Sequence, residues 1–362
     1  MRTLLADKLL AKIMEWTPEE IDRERPLLQA MADLKWNEYQ QFSPGTRFLE
    51  SLIKWLQQFE NLEDRKTGYR LVRDHLIFIS SEQLAHLVDI LFSEKVNPIL
   101  IKKTAGEKGL SPHLVTKILN DNSYAQNLRM SLFVGLSDGS RIDQFRRGAF
   151  LNNEQVIATY SVSDGKVGDM VEKLQQEIPD SKFKTLFLID DFTASGKTYC
   201  RANGGGKLGK IFTSIFEPGG TFHPAVDHIN LEVHILFYIA TTDALENIRQ
   251  GVEGWKKKNN REFSCTVECL LPIDDSVKKK IVSDNVLMAF MEKYFDSSIV
   301  DKHYKEGKYD LPYLGFDECC LPIVLNHNSP NNSVAILWLP TDKKYKGLFP
   351  RISRHRENKY ED

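Results

Sequence analysis

In "LFLIDDFTASGKT", residues 186–198, an apolar run ends in two adjacent carboxylates, followed by hydroxyls, a glycine and a lysine. Leu186 to Ile189 reads as a fully buried strand, being short, uniformly apolar and β-prone. Asp190 and Asp191 then fall at its carboxyl end, where an open α/β sheet exposes ligand-binding loops. Such a pair either caps a helix or serves ribose hydroxyls or a metal-bound polyphosphate. The GKT ending suggests a Walker A loop, but that motif needs a glycine five positions before Gly196, where Asp191 stands. A carboxylate inside a phosphate cradle repels its ligand, which argues against an NTPase. A division of labour fits better. Thr193, Ser195 and Thr198, with the N–H groups of Ala194, Ser195, Gly196, Lys197 and Thr198, can wrap a monophosphate at a helix start. Gly196 lets the backbone approach closely. The carboxylates, one step back, can accept hydrogen bonds from ribose hydroxyls on the same ligand.

A second polar loop has the same setting. "LRMSLFVGLSDGSRIDQFRR" is an apolar strand, a loop of Gly135, Ser137, Asp138, Gly139 and Ser140, and a helix opening with Arg141. "VGDMVEKLQQEI" is an amphipathic helix. "LEVHILFYIATTDALENIRQ" is a buried strand running into a helix capped near Thr241 or Thr242. "REFSCTVECLL" adds a strand and "SVKKKIVSDNVLMAFMEKYF" a helix. The alternation predicts an α/β fold with a doubly wound, mostly parallel sheet. The turns at 135–141 and 190–198 would then meet at one edge of it and share a site.

The elements before this sheet are different. Residues 1–125 read as a helical module, and 126–362 as the α/β domain with a C-terminal hood and basic tail. Thr17-Pro18-Glu19-Glu20 is a capping box with proline at the first helical position. Ser43-Pro44, Ser111-Pro112 and the Ser80/Gln83 pair read as further helix starts. Leu49, Leu52, Ile53, Leu56 and Phe59, then Leu84, Leu87, Val88 and Leu91, form apolar stripes that must pack on something. A packed helical subdomain without chemistry is one reading. A winged-helix or partner-docking module is the other, with "IKKTAGEKGLSPHLVTKI" its most basic stretch.

Composition limits the rest. A net charge of −2 gives no global nucleic-acid signal, so such binding would need a local patch. Lys343, Lys344, Lys346, Arg351, Arg354 and Arg356, interleaved with Tyr345 and Phe349, could be one. The opening "MRTLLADKLLAKI" carries Asp7, Lys8 and Lys12, so it reads as neither signal peptide nor membrane span. Five cysteines without framework spacing point to reduced thiols and a cytoplasmic protein. Zinc at Cys265 and Cys269 is disfavoured, and His223 with His228 lacks a third ligand. Gly204 to Gly206 reads as a flexible loop able to close on substrate. Lys256 to Lys258 and Lys278 to Lys280 read as solvated helix faces. His327, with Asn328 and Asn331 in the same polar turn, is placed near the sheet's carboxyl edge as a base- or acceptor-facing group.

The strand, acidic pair, hydroxyls and Gly-x-Thr of residues 186–198 resemble the PRPP-binding signature of type I phosphoribosyltransferases, closest to hypoxanthine-type salvage enzymes. The resemblance implies that Asp190 and Asp191 bind the ribose 2′ and 3′ hydroxyls and that 193–198 holds the 5′ phosphate. It also implies that loop 135–141 serves pyrophosphate, through Ser137, Asp138, Gly139 and Ser140, with Arg141 as counter-charge. Mg2+ would bridge the pyrophosphate beside Asp190 and Asp191. Two features depart from the salvage pattern. Ala194 stands where purine salvage enzymes carry the aspartate that handles the purine proton, and the hood has no salvage-enzyme form. "SDGSRID", "DDFTASGKT", "HNSPNN" and "LFPR" resemble phosphoribosyltransferase-like proteins of bacterial conflict systems, including retron-type anti-phage loci. That likeness implies a defence effector acting at ribose C1 of a phosphoribosyl donor. Its partner would be a reverse transcriptase or retron RNA–DNA, met through the N-terminal module or the basic tail, with no membrane involved. The alternatives are a non-catalytic PRPP- or nucleotide-sensing regulator and a transferase or glycosidase acting on nucleic acid.

Overall fold

The computed structural model describes residues 3–201, 205–302 and 304–351. Its strands are β1 (Ile77–Ile79), β2 (Ser131–Gly135), β3 (Val156–Ile157), β4 (Thr185–Thr193), β5 (Glu232–Thr241), β6 (Ser264–Ile273) and β7 (Ile323–Leu325). The chain forms two compact units, Met1–Gln83 with Asp275–Asp362, and Leu84–Asp274. The division expected at residue 125 therefore falls elsewhere. Residues 84–125 join the sheet, whereas the C-terminal segment builds one core with the N-terminal helices.

In the first unit that core is aromatic. Phe48, Trp55, Phe59, Phe290, Tyr294 and Phe349 are all nearly inaccessible, with Phe59 edge-on to Phe290 at 4.8 Å. The Trp55 indole N–H donates to the Ile336 carbonyl at 3.1 Å, satisfying the ring's one polar atom inside the core. β1 and β7 pair in parallel, Phe78 opposite Val324. The Thr17–Glu20 capping box forms reciprocally, as does the Ser80–Gln83 pair. Ser43-Pro44 starts a turn instead, and the next helix runs Phe48–Gln57 from Arg47. The helix expected over 276–295 is broken in two, Ser276–Val282 and Asn285–Lys293, because Asp284 accepts from the N–H groups of Val286 and Leu287 and restarts it. "SVAILW", in the segment read as the hood, forms no strand. Ala335–Trp338 is a helical turn, and Trp338 Nε1 donates to the Ser333 carbonyl at 2.7 Å.

The second unit is the α/β body. Its five strands are all parallel, in the order β3-β2-β4-β5-β6. β4 and β5 lie inside the sheet with both faces covered, which is why they read as continuous apolar runs. Leu186, Leu188, Val233, Ile235 and Phe237 pack with Met170, Phe212 and Ile248 of the helices Asp164–Glu177, Lys207–Phe216 and Thr242–Asn259. On the other face Phe133 stacks on Phe187 at 4.9 Å, and Phe187 on His234 at 5.1 Å. Each fully buried ring of this kind contributes about 1.5–3 kcal/mol. The chain leaves β2 outward to β3, then returns past β2 to β4. The strand order therefore reverses between β2 and β4, and a crevice opens there at their carboxyl ends.

Ser111-Pro112 begins a turn, and the helix Val115–Leu119 follows only from Leu114. Among the described residues of 1–125 the one strand is β1, so the wing hairpin of a winged helix is absent there. No helix among the described residues is long and apolar enough to cross a membrane.

Candidate functional site

β2 runs in register with β4 to its own end, Gly135 opposite Ile189, and β4 continues to Thr193, so the loop after β2 leaves the sheet beside Asp190 and Asp191. The first loop is tight. Ser137 Oγ accepts the Gly139 N–H at 3.2 Å, and the Ser140 N–H returns to the Ser137 carbonyl at 3.1 Å. Tyr238, buried on β5, donates its hydroxyl to the Ser140 carbonyl at 2.8 Å. Burial, then the nearby Asp191 and Asp190 charges, push that phenol's pKa far up, so it remains a donor. Ser140 is itself buried, its hydroxyl against Gly135. The Ser137 hydroxyl and the Gly139 and Ser140 N–H groups, expected to serve a diphosphate, are thus engaged within the protein. Asp138 is exposed. Arg141 is half-buried and left-handed (φ 48°), a conformation costly for a side-chain-bearing residue. Its guanidinium makes no hydrogen bond or ion pair with any described residue, Asp138 and Asp143 included.

The two carboxylates have opposite environments, because successive side chains of a strand face opposite sides. Asp190 is 0% exposed. Its Oδ1 accepts from the Ser137 hydroxyl and from the Asp191 N–H at 3.1 Å. Its Oδ2 accepts from the Tyr199 hydroxyl at 2.7 Å and the Lys207 ammonium at 3.1 Å. These contacts occupy the four acceptor positions of a carboxylate. Burial, then the Asp191 charge, raise the Asp190 pKa, while Lys207, Ser137 and Tyr199 work to hold it ionised. Asp191 is only half-buried and lies against Gly139. A Cβ on Gly139 would come within 2.8 Å of Asp191 Cγ, so any side chain there must displace either the loop or the Asp191 carboxylate.

After β4 the chain makes a turn where the sequence predicted a helix. Residues 197–199 form the turn, and the next helix, Lys207–Phe216, starts from Gly206 (φ 102°). No helix dipole therefore acts at Thr198. Residues 202–204, which include Gly204 of the expected flexible loop, lie outside the described residues. The carbonyls of the turn are held from the other side. Thr241, the expected N-cap of the helix Thr242–Asn259, donates its hydroxyl to the Ala194 carbonyl at 2.6 Å. Asn247 Nδ2 donates to the Ser195 carbonyl at 3.1 Å, and the Tyr199 and Cys200 N–H groups share the Gly196 carbonyl. Ser195 Oγ accepts the Lys197 N–H at 3.4 Å. The N–H groups of Ser195, Gly196 and Thr198 donate to no group among the described residues, so the turn keeps backbone donors for an anion. Gly196 (φ 74°) is required for packing, since a Cβ there would stand 2.9 Å from the Ala244 carbonyl on that same helix. Thr193 and Ala194 are buried, while Thr198 is exposed.

His327, Asn328 and Asn331 belong to the first unit. Leu325 and Asn328 close a tight turn with reciprocal backbone hydrogen bonds, and the His327 carbonyl accepts from Gln41 Nε2 at 2.7 Å. Asn328 Oδ1 caps the Ser329 N–H, and the Asn331 carbonyl accepts the Phe316 N–H at 2.7 Å. Arg354 and Arg356 of the basic tail lie outside the described residues. His223 and His228 stack at 4.4 Å and bind backbone carbonyls, and all five cysteines are free thiols. No group of three His, Cys, Asp or Glu side chains placed to hold a metal occurs among the described residues.

A family model described as PRTase-CE matches residues 52–351, which takes in both loops and the whole parallel sheet. The chain belongs to the PRTase-CE family, a phosphoribosyltransferase-like family. No curated protein and no solved structure matches it. The match also covers residues of both compact units.

Three members of this PRTase-CE site carry no sequence signal that singled them out. Tyr199 closes "GKTY", and Tyr238 is one more apolar-run residue in β5. Lys207 directly follows the glycine run 204–206. Its side chain is 20% exposed, its ammonium also lies over the Tyr199 ring at 4.9 Å, and its N–H binds the Thr198 carbonyl.

Proposed function

We propose that this chain binds a 5-phosphoribosyl 1-diphosphate donor with Mg2+ and breaks the C1–O bond, the electron pair leaving with pyrophosphate while C1 bonds to water or an acceptor nucleophile that gives up its proton. The single observation that carries this reading is the contact of loop 137–141 with both carboxylates, Ser137 on Asp190 and Gly139 against Asp191. It supports a shared site at the β2/β4 reversal for a phosphate-competent turn, an acid and an arginine. The 195–198 amides receive the 5′ phosphate. Asp191 accepts from the ribose hydroxyls, and Arg141 forks across the diphosphate, stabilising the charge that develops as C1 becomes oxocarbenium-like. Magnesium would be carried on the substrate's diphosphate oxygens, as such hard cations usually are. Asp191 is the carboxylate placed to meet it, and the metal would supply charge neutralisation at the diphosphate. Anti-phage defence is the role this activity would serve, as the conflict-system likeness implies.

A non-catalytic donor-sensing role has one observation in its favour. Ala194 is 4% exposed and contributes only a carbonyl, already bound by Thr241, so that position offers no proton-handling group. Incubation with PRPP and Mg2+ distinguishes the two. Calorimetric binding with steady pyrophosphate release supports the enzyme, binding without release supports the sensor, and no binding refutes both.

A further inference from the structure

The buried carboxylate and the ammonium beside it have a task that ligand binding does not explain. Asp190 is saturated by the protein: Ser137 and the Asp191 N–H on one oxygen, Tyr199 and Lys207 on the other. A ribose hydroxyl could bind there only by displacing one of these partners from a site with 0% exposure. The three side-chain partners come from three separate segments: the loop after β2, the turn after β4, and the first residue of the helix Lys207–Phe216. We propose that Asp190 is a positioning residue, a strut through which Lys207 and Tyr199 hold the Ser137 loop, and with it Arg141, over the crevice. Asp191 then reads the ribose alone. The strut itself stands on geometry, and its consequence for ligands rests on the donor-binding reading above.

The chemistry makes the strut directional. A carboxylate can accept on both oxygens at once, so one group can bridge donors on opposite sides. If Lys207 is lost, the buried charge loses its only cationic partner among the described residues, and a carboxylate that relaxes towards solvent releases Ser137 as well. Ser137 and Lys207 are therefore coupled without touching each other. Side chains sharing one network depart from additivity, whereas independent ones do not.

The test compares Ser137→Ala, Lys207→Met, the double variant and Lys207→Arg in the full chain. Amide hydrogen exchange at residues 137–141 is measured without ligand, and affinities are measured for inorganic pyrophosphate and ribose 5-phosphate. Lys207→Met, remote from the loop, is expected to speed exchange at 137–141 about tenfold. It should also weaken pyrophosphate about tenfold while changing ribose 5-phosphate less than twofold. The double variant should be no worse than the worse single, and Lys207→Arg should restore both readouts. Unchanged exchange at 137–141 in Lys207→Met, multiplicative effects in the double variant, or a loss confined to ribose 5-phosphate would overturn the strut. If Lys207→Met does not fold, Tyr199→Phe removes one donor from the same oxygen and carries the same expectations. Should the unmodified protein bind no pyrophosphate, the donor-binding reading fails, and the ligand-free exchange result still decides the strut.

Discussion

Gly139 packs directly on the carboxylate of Asp191, leaving no room for even a methyl group between loop and acid. That contact joins two segments distant in sequence, the loop after β2 and the end of β4, into one crevice wall. Gly139→Ala should force the loop away from β4, at the roughly 1–3 kcal/mol typical of an overpacked contact. Thermal melting should fall by a few degrees. Affinity for PRPP should fall about tenfold, because Arg141 moves with the loop. Calorimetry on the folded variant checks this, and unchanged affinity would detach the loop from the site.

The carboxylates should separate cleanly under substitution. Asp191→Asn removes a charged acceptor at the half-buried edge while sparing the core. A hydrogen bond to a charged group contributes about 1.5–3 kcal/mol, so PRPP affinity should drop tenfold or more with a level melting temperature. Asp190→Asn should instead lower stability by about 2 kcal/mol, since an amide cannot accept on both sides and leaves the Lys207 ammonium without its partner. Urea titration of both variants provides the comparison. Equal stability loss would mean that the two acids share one structural role.

Much of this site could be read from residue order, and the remainder fails for identifiable reasons. The buried strand, the acidic pair at its end and the polar loop after β2 are local features, and parallel pairing of β2 with β4 brings them together. What local pattern could not supply is direction and partner. Adjacent aspartates look equivalent in sequence, yet the strand's period of two sends one into the core and the other to the crevice. Gly196 was assigned to ligand approach, but the helix Thr242–Asn259 occupies the space where its Cβ would lie. The hydroxyls and glycine of residues 193–198 suggest a helix start there, but the actual start at Lys207 lies beyond a glycine run. The first unit was the least legible. Its core joins the chain's two ends, and a helical periodicity records that a face is buried but not what buries it.

A pH effect is expected far from the crevice, at the amino-terminal edge of the sheet. Glu232 lies 2.9 Å from Lys103 and 3.7 Å from His234 Nε2. His234, opposed by partial burial and aided by Lys103, holds its pKa down at about 2. A carboxylate depressed in the folded state contributes stability that is complete above its unfolded value, near 4.5, and is lost as pH falls towards 2. Urea midpoints should therefore decline across that window, and Glu232→Gln should flatten part of the decline while lowering stability at neutral pH. A variant whose acid limb matches the unmodified protein would show that the pair contributes nothing to folding.

Arg141 offers the sharpest test of ligand orientation. It is half-buried, left-handed, and unengaged by Asp138, Asp143 or any other described acid. A surface arginine that merely opened a helix would be expected to pair with one of these neighbours, a contact worth under about 1 kcal/mol. Its guanidinium can fork across two phosphate oxygens, whereas lysine presents a single strongly hydrated charge. Arg141→Lys keeps the charge and loses the fork. PRPP and pyrophosphate should therefore weaken about tenfold, while ribose 5-phosphate, which has no diphosphate at C1, should change less than twofold. Competition titrations with the three ligands on one protein preparation measure this directly. Losses for PRPP and ribose 5-phosphate with pyrophosphate unchanged would place Arg141 at the 5′ phosphate and reverse the donor in the crevice. No loss for any would leave it a solvent-facing residue, with charge stabilisation at C1 falling to some other group.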